Sequence, residues 1–179
     1  MIAERDVAAI RAQLGRAPRS MHAIGHRCPC GNPDVVVTEP RLDDGTPFPT
    51  TFYLTCPRAA SLIGTLEATG RMREMTERLG RDEDLAATYR RAHEAYLAAR
   101  AEIGAVPEIA GVSAGGMPER VKCLHVLAGQ SLAQGRGVNS LGDEVLDELG
   151  DWWEQGPCVS PVVQERASAA VTKPPEDHR

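Results

Sequence analysis

Residues 50–70 read TTFYLTCPRAASLIGTLEATG, and this stretch decides the fold class. Thr50 to Thr55 are β-branched or aromatic apart from Leu54, the composition of a strand. Cys56-Pro57 closes that run, and proline suits the first position of a helix, where the backbone N–H has no intrahelical partner anyway. Leu62, Ile63 and Leu66 then follow at helical spacing until Gly70 stops the segment. A strand that runs straight into a helix, in a chain with few other strand-like runs, indicates a mostly helical α+β protein.

Upstream, Asp34 to Thr38 (DVVVT) is a second β-branched run, and the intervening EPRLDDGTPFP carries the turn signal Asp44-Gly45. The two runs predict a small antiparallel sheet near residues 34–55. Residues 16–33 (RAPRSMHAIGHRCPCGNP) have no period and read as an ordered loop. Before them, Val7, Ile10 and Leu14 mark a short amphipathic helix stopped by Gly15.

Downstream, Met72, Met75 and Leu79 predict a short helix ending at Gly80, with the methionines filling core. The clearest helix runs from Asp82, an N-cap, to Ile103, with Leu85, Tyr89, Ala92, Tyr96 and Ala99 on one stripe. After a glycine-rich loop, Pro118 is expected to open a helix through Ala133, and Asn139 or Ser140 to open a last one. Residues 1–155 thus read as one domain. The remainder, 156–179, has four prolines and no period, and reads as a flexible tail in which Cys158 has no companions.

The chain has 179 residues, 42% apolar and 25% charged, which excludes collagen-like, coiled-coil and wholly disordered classes. Only 4% are aromatic and the net charge is −5, so nucleic-acid binding is unsupported. Glu4, Arg5, Asp6 and Arg11 interrupt the amino terminus, which reads as neither a signal peptide nor a membrane span. Five cysteines without an export signal indicate a reducing, cytoplasmic setting, where clustered thiols serve as metal ligands or catalysts. Residues 141–179 hold nine acids against three bases, which reads as a solvated face or a surface for a protein partner.

Three cysteines are well placed for chemistry. Cys28 precedes Pro29, Cys56 sits at the strand-to-helix junction, and Cys123 stands in VKCLH. A helix N-terminus favours thiolate, which makes Cys56 the best single candidate. Pairing of the two strands brings Cys28 towards Cys56, and Cys123 supplies a third sulfur. With a fourth ligand such a set holds zinc structurally; without one, an iron-sulfur cluster keeps an iron open to substrate. Cys30, His26, His93 and His125 are the candidates for the fourth position. On a regular helix Cys123 and His125 point about 200° apart and do not converge on one ion. Taken singly, each cysteine reads as a small buried hydrophobe and each histidine as a satisfied polar group. Arg19 and Arg27 are the candidates for binding an anion beside the loop.

The string CPCGNPDVVVTEPRLDDGTPFPTTFYLTCP, followed by RRAHEAYLAAR and GGMPERVKCLHVLAGQSLAQGRGVNSLGDEVL, resembles the bacterial family catalogued as domain of unknown function 501. The resemblance covers roughly residues 16–150. It implies that Cys28, the Asp44–Thr50 loop, Cys56, His93, Cys123 and His125 are family features. It sets Cys30 apart, since the family commonly has an aromatic residue there.

The resulting expectation is a cytoplasmic metalloprotein in which Cys28, Cys56 and Cys123 hold zinc or an iron-sulfur cluster. His93 or His125 moves protons, and Arg19 or Arg27 orients a small anionic substrate. A catalytic Cys56 without metal, with a histidine as base, is a further reading. The alternative of a different class is a metal-free interaction module with buried structural cysteines, meeting a protein partner through its acidic carboxy-terminal region.

Overall fold

Val35, Val36 and Val37 form the middle of a three-stranded antiparallel sheet, ordered β1-β2-β3, in a computed structural model that describes residues 2–159. The strands are β1 (Met21–Arg27), β2 (Pro33–Thr38) and β3 (Phe52–Leu54). The helices are α1 (Glu4–Leu14), α2 (Pro57–Ala68), α3 (Arg71–Leu79), α4 (Glu83–Ile103), α5 (Leu124–Gln134) and α6 (Ser140–Leu149). The architecture is α+β and mostly helical, with the sheet where the β-branched runs place it.

The expected loop over 16–33 contains strand β1. Its pairing with β2 shifts register at three places, which destroys the alternation by which a strand is read in sequence. Gly25 lies in this strand because a Cβ there would come within 3.2 Å of Val37 and 3.4 Å of Ala133 on α5.

Helix α5 is the centre of the molecule, with every residue from Val126 to Ser131 buried, as is Leu124. It begins at Leu124 and not at Pro118. Gly115 and Gly116 turn the chain with positive φ, and the next amides find tertiary acceptors: Val121 N–H donates to Thr76 Oγ1 at 3.0 Å, and Leu124 N–H to Glu67 Oε1 at 2.7 Å. On one side, Gly129 backs onto the Phe52 carbonyl of β3; on the other, Gly142 of α6 lies against the Leu127 carbonyl. The two glycines let α5 sit between sheet and helix at backbone contact.

Helix α4 starts at the expected N-cap, where Asp82 accepts from Leu85 N–H at 2.9 Å. Tyr96 pins it to the sheet, its hydroxyl accepting from Thr51 N–H at 2.6 Å and its ring meeting Phe52 edge-on at 5.1 Å. Arg100, buried on the same helix, donates to the carbonyls of Pro49 (3.3 Å) and Ile109 (2.5 Å). Its burial pulls the guanidinium below its usual pKa.

Three of the four acids of α6 pair with arginines of the chain, while Asp143 accepts the Gly137 N–H. Glu144 takes two contacts from Arg78, at 2.7 and 2.8 Å, Glu148 pairs with Arg71, and Asp147 with Arg136. Of the expected tail, residues 160–179 lie outside the described residues, while Gly156 O accepts from Arg58 and Cys158 packs on the core. Among the described residues, no helix is long and apolar enough to cross a membrane.

Candidate functional site

Cys123 is the N-cap of α5, and its extended backbone (φ −155°, ψ 112°) takes its side chain off the helical path. The expected divergence from His125 therefore does not occur. Cys123 Sγ lies 3.8 Å from His125 Nδ1, and Glu67 Oε1, from the last turn of α2, lies 3.2 Å from the same nitrogen. The ligand atoms of Glu67, Cys123 and His125 all fall within 4.8 Å of one another, and all three residues are half-buried. His125 Nε2–H donates to the Ala60 carbonyl at 3.2 Å, which fixes the ring. The Cys123 sulfur, with the Glu67 carboxylate, holds this imidazole up to about 9. A cavity of about 220 Å³ opens beside the group, between β3 and α5, lined by Thr50, Phe52, Leu54 and Val126.

The other cysteines meet elsewhere. Cys28 begins a tight turn after β1, with Gly31 N–H on its carbonyl at 2.8 Å and its own N–H on Asn32 O at 3.0 Å. The turn sets Cys30 against the Cys28 thiol, which burial pushes up to about 12. Cys56 is the N-cap of α2, as its sequence indicates, but it is fully buried. The neighbouring Cys158 thiol and burial together raise Cys56 well above the usual thiol range. Cys158 shifts the other way: the adjacent Cys56 thiol, with the amides of Gln13 (Nε2 at 3.2 Å) and Asn32 (Nδ2 at 3.8 Å), holds it below the usual thiol range.

The three cysteines read together in sequence thus fall into two groups. Cys28 and Cys56 keep company with Cys30 and Cys158, and Cys123 with His125 and Glu67. His93 lies on α4, where Nδ1 meets Ser113 Oγ at 2.8 Å and burial lowers its pKa. His26 pairs with the buried Asp34 at 2.7 Å. Arg27 makes a double contact with Asp6, at 2.9 and 2.8 Å, and a third to Gly31 O. Arg19 lines a separate cavity of about 210 Å³ with Arg16, Leu14, Val36 and Phe48.

Glu67 and Cys158 escape the sequence reading. Glu67 is one acid among many at a helix end, and Cys158 stands in a proline-rich stretch with no period. Only the tertiary fold brings either to its partners.

Fold and side chains define an α+β protein with sulfur-bearing groups beside two separate cavities, one lined by Cys123 and His125 and the other by Cys30. Residues 24–147 match the family model described as Protein of unknown function (DUF501), and the chain belongs to that family. No curated protein and no solved structure matches the chain.

Proposed function

We propose that this protein is a cysteine-ligated metalloprotein whose working centre is Glu67, Cys123 and His125. The observation that carries this reading is the orientation of His125. Its Nε2–H is committed to the Ala60 carbonyl, which leaves Nδ1 facing Cys123 Sγ and Glu67 Oε1. Metal-ligating histidines are oriented in this manner, by donation of the other ring N–H to a carbonyl or carboxylate. One sulfur, one nitrogen and one oxygen suit a borderline ion such as zinc better than an iron-sulfur core, which wants several thiolates.

Three protein ligands leave a coordination position free. The adjoining cleft between β3 and α5 can admit water or a small anionic substrate to that position, where the ion would act as a Lewis acid. The interaction-module reading draws less support, because three of the four acids of α6, Glu144, Asp147 and Glu148, already pair with arginines of their own chain.

Zinc titration of the chelated full chain tests this reading. Cys123→Ser and His125→Ala should each lose about one equivalent relative to the parent chain. Full zinc content in both variants would overturn the assignment.

A further inference from the structure

Strand β1 carries two histidines that each face a carboxylate, and the pairs differ in what surrounds them. His22 Nδ1 meets Glu39 Oε1 at 2.8 Å with the two side chains 45% and 42% exposed, the setting of a solvated surface pair. His26 Nδ1 meets Asp34 Oδ1 at 2.7 Å, and the Asp34 side chain is 0% exposed. The second Asp34 oxygen, Oδ2, has no hydrogen-bond partner among the described residues, so the imidazole is the group that answers this buried carboxylate. An accepting carboxylate holds the ring as the Nδ1–H tautomer and leaves Nε2 as a bare lone pair. Nε2 takes no partner among the described residues, and 33% of the side chain stays exposed.

His26 lines a cavity of about 580 Å³, a size that fits a small molecule. Trp152 and Trp153 give the cavity an aromatic wall, their rings edge to face at 4.7 Å, and Leu132 and Leu146 add apolar surface. The arginines at its border are already engaged. Arg27 holds Asp6 and the Gly31 carbonyl, and Arg136 holds Asp147 and the Asp143 carbonyl. An aromatic wall beside engaged cations suits an uncharged ligand better than an anion. Ser131 also borders the cavity, but its hydroxyl donates to the Asn139 carbonyl at 3.0 Å, which leaves water as the nucleophile that the histidine can serve.

We infer that this cavity is a second catalytic site, separate from Glu67, Cys123 and His125, with His26 as general base, Asp34 as its positioning residue and a neutral aryl ester as the class of substrate. His26 Nε2 takes a proton from water while the water oxygen bonds to the acyl carbon. The tetrahedral adduct then collapses, the bond to the aryloxy oxygen breaks, and the proton held on Nε2 passes to the departing aryloxide. One ester and one water give one carboxylic acid and one phenol.

The probe is p-nitrophenyl acetate, offered to the full chain as purified and again in excess EDTA. The parent should release p-nitrophenolate with saturation kinetics that EDTA leaves unchanged. His26→Gln, at a partly exposed position, should fold normally and lose about 100-fold in kcat/KM, while His22→Gln should keep the parent rate. Asp34→Asn should lower kcat, and nitrogen NMR of the imidazole should show the ring leaving the Nδ1–H tautomer that the parent displays; a merely structural Asp34 would lower the melting temperature and leave the tautomer in place. Saturable hydrolysis that survives His26→Gln would overturn the inference. So would a parent chain no faster than an equal concentration of free imidazole, or one whose hydrolysis EDTA removes. The chelator separates the two sites, because loss of zinc binding at Glu67, Cys123 and His125 leaves this inference standing.

Discussion

Gly129 of α5 lies so close to Phe52 of β3 that a Cβ added to the glycine would come within 2.8 Å of the Phe52 carbonyl oxygen. This contact fixes how deep α5 sits on the sheet, and so where its amino-terminal residues, Cys123 and His125, meet Glu67. Helix propensity alone makes Gly129→Ala stabilising by about 1 kcal/mol, but the steric cost of forcing backbone apart is about 1–3 kcal/mol and prevails. Gly64 of α2 has nothing within 4 Å of the same hypothetical atom, so Gly64→Ala keeps the propensity gain. Urea unfolding should show opposite signs for the two variants.

Glu67 does two jobs that substitution can separate. Its Oε1 accepts the Leu124 amide at the start of α5, and its charge faces His125. Glu67→Gln keeps an oxygen for the amide and should retain stability while binding zinc more weakly. Glu67→Ala should in addition lose about 1 kcal/mol, the usual worth of a helix N-terminal acceptor. Parallel melting and zinc titration distinguish the two effects.

The Asp6–Arg27 pair predicts an acid limb to stability. Arg27 holds the Asp6 carboxyl below the ordinary aspartate range, so the contribution is complete above the unfolded value near 3.8 and is lost as pH falls through the lower folded value. Arg27 is partly solvated, which limits the pair to about 1 kcal/mol. Asp6→Asn should therefore destabilise the protein by that amount at pH 7 and converge with the parent in strong acid, as read from denaturation midpoints across pH.

Arg100 is buried with no carboxylate partner among the described residues and serves two carbonyls, Pro49 just before β3 and Ile109 after α4. Arg100→Met fills much of its volume but leaves the Pro49 and Ile109 carbonyls without their donor. The expected loss is about 2–3 kcal/mol, measurable by calorimetry.

What the sequence revealed follows from range. The N-caps at Asp82 and Asn139, the proline start of α2 and the β2–β3 pair are local patterns, and each is present. Strand β1 stayed hidden because its irregular register erases alternation, and the start of α5 because its first amides bond to α2 and α3 instead of to Pro118 and its neighbours. At the site, Cys123 and His125 were visible as residues, but their convergence depends on one extended N-cap conformation. Glu67 and Cys158 carry no local mark, since nothing near them in sequence is their partner.

The hydrogen bond from Gln13 to Cys158 spans 145 positions of the chain and joins the first helix to the last described segment. The contact ties α1 to the segment after α6, so that displacing either strips a partner from the other. Force pulling α1 away from residues 156–159 would meet this contact before it reached the buried core around α4 and α5.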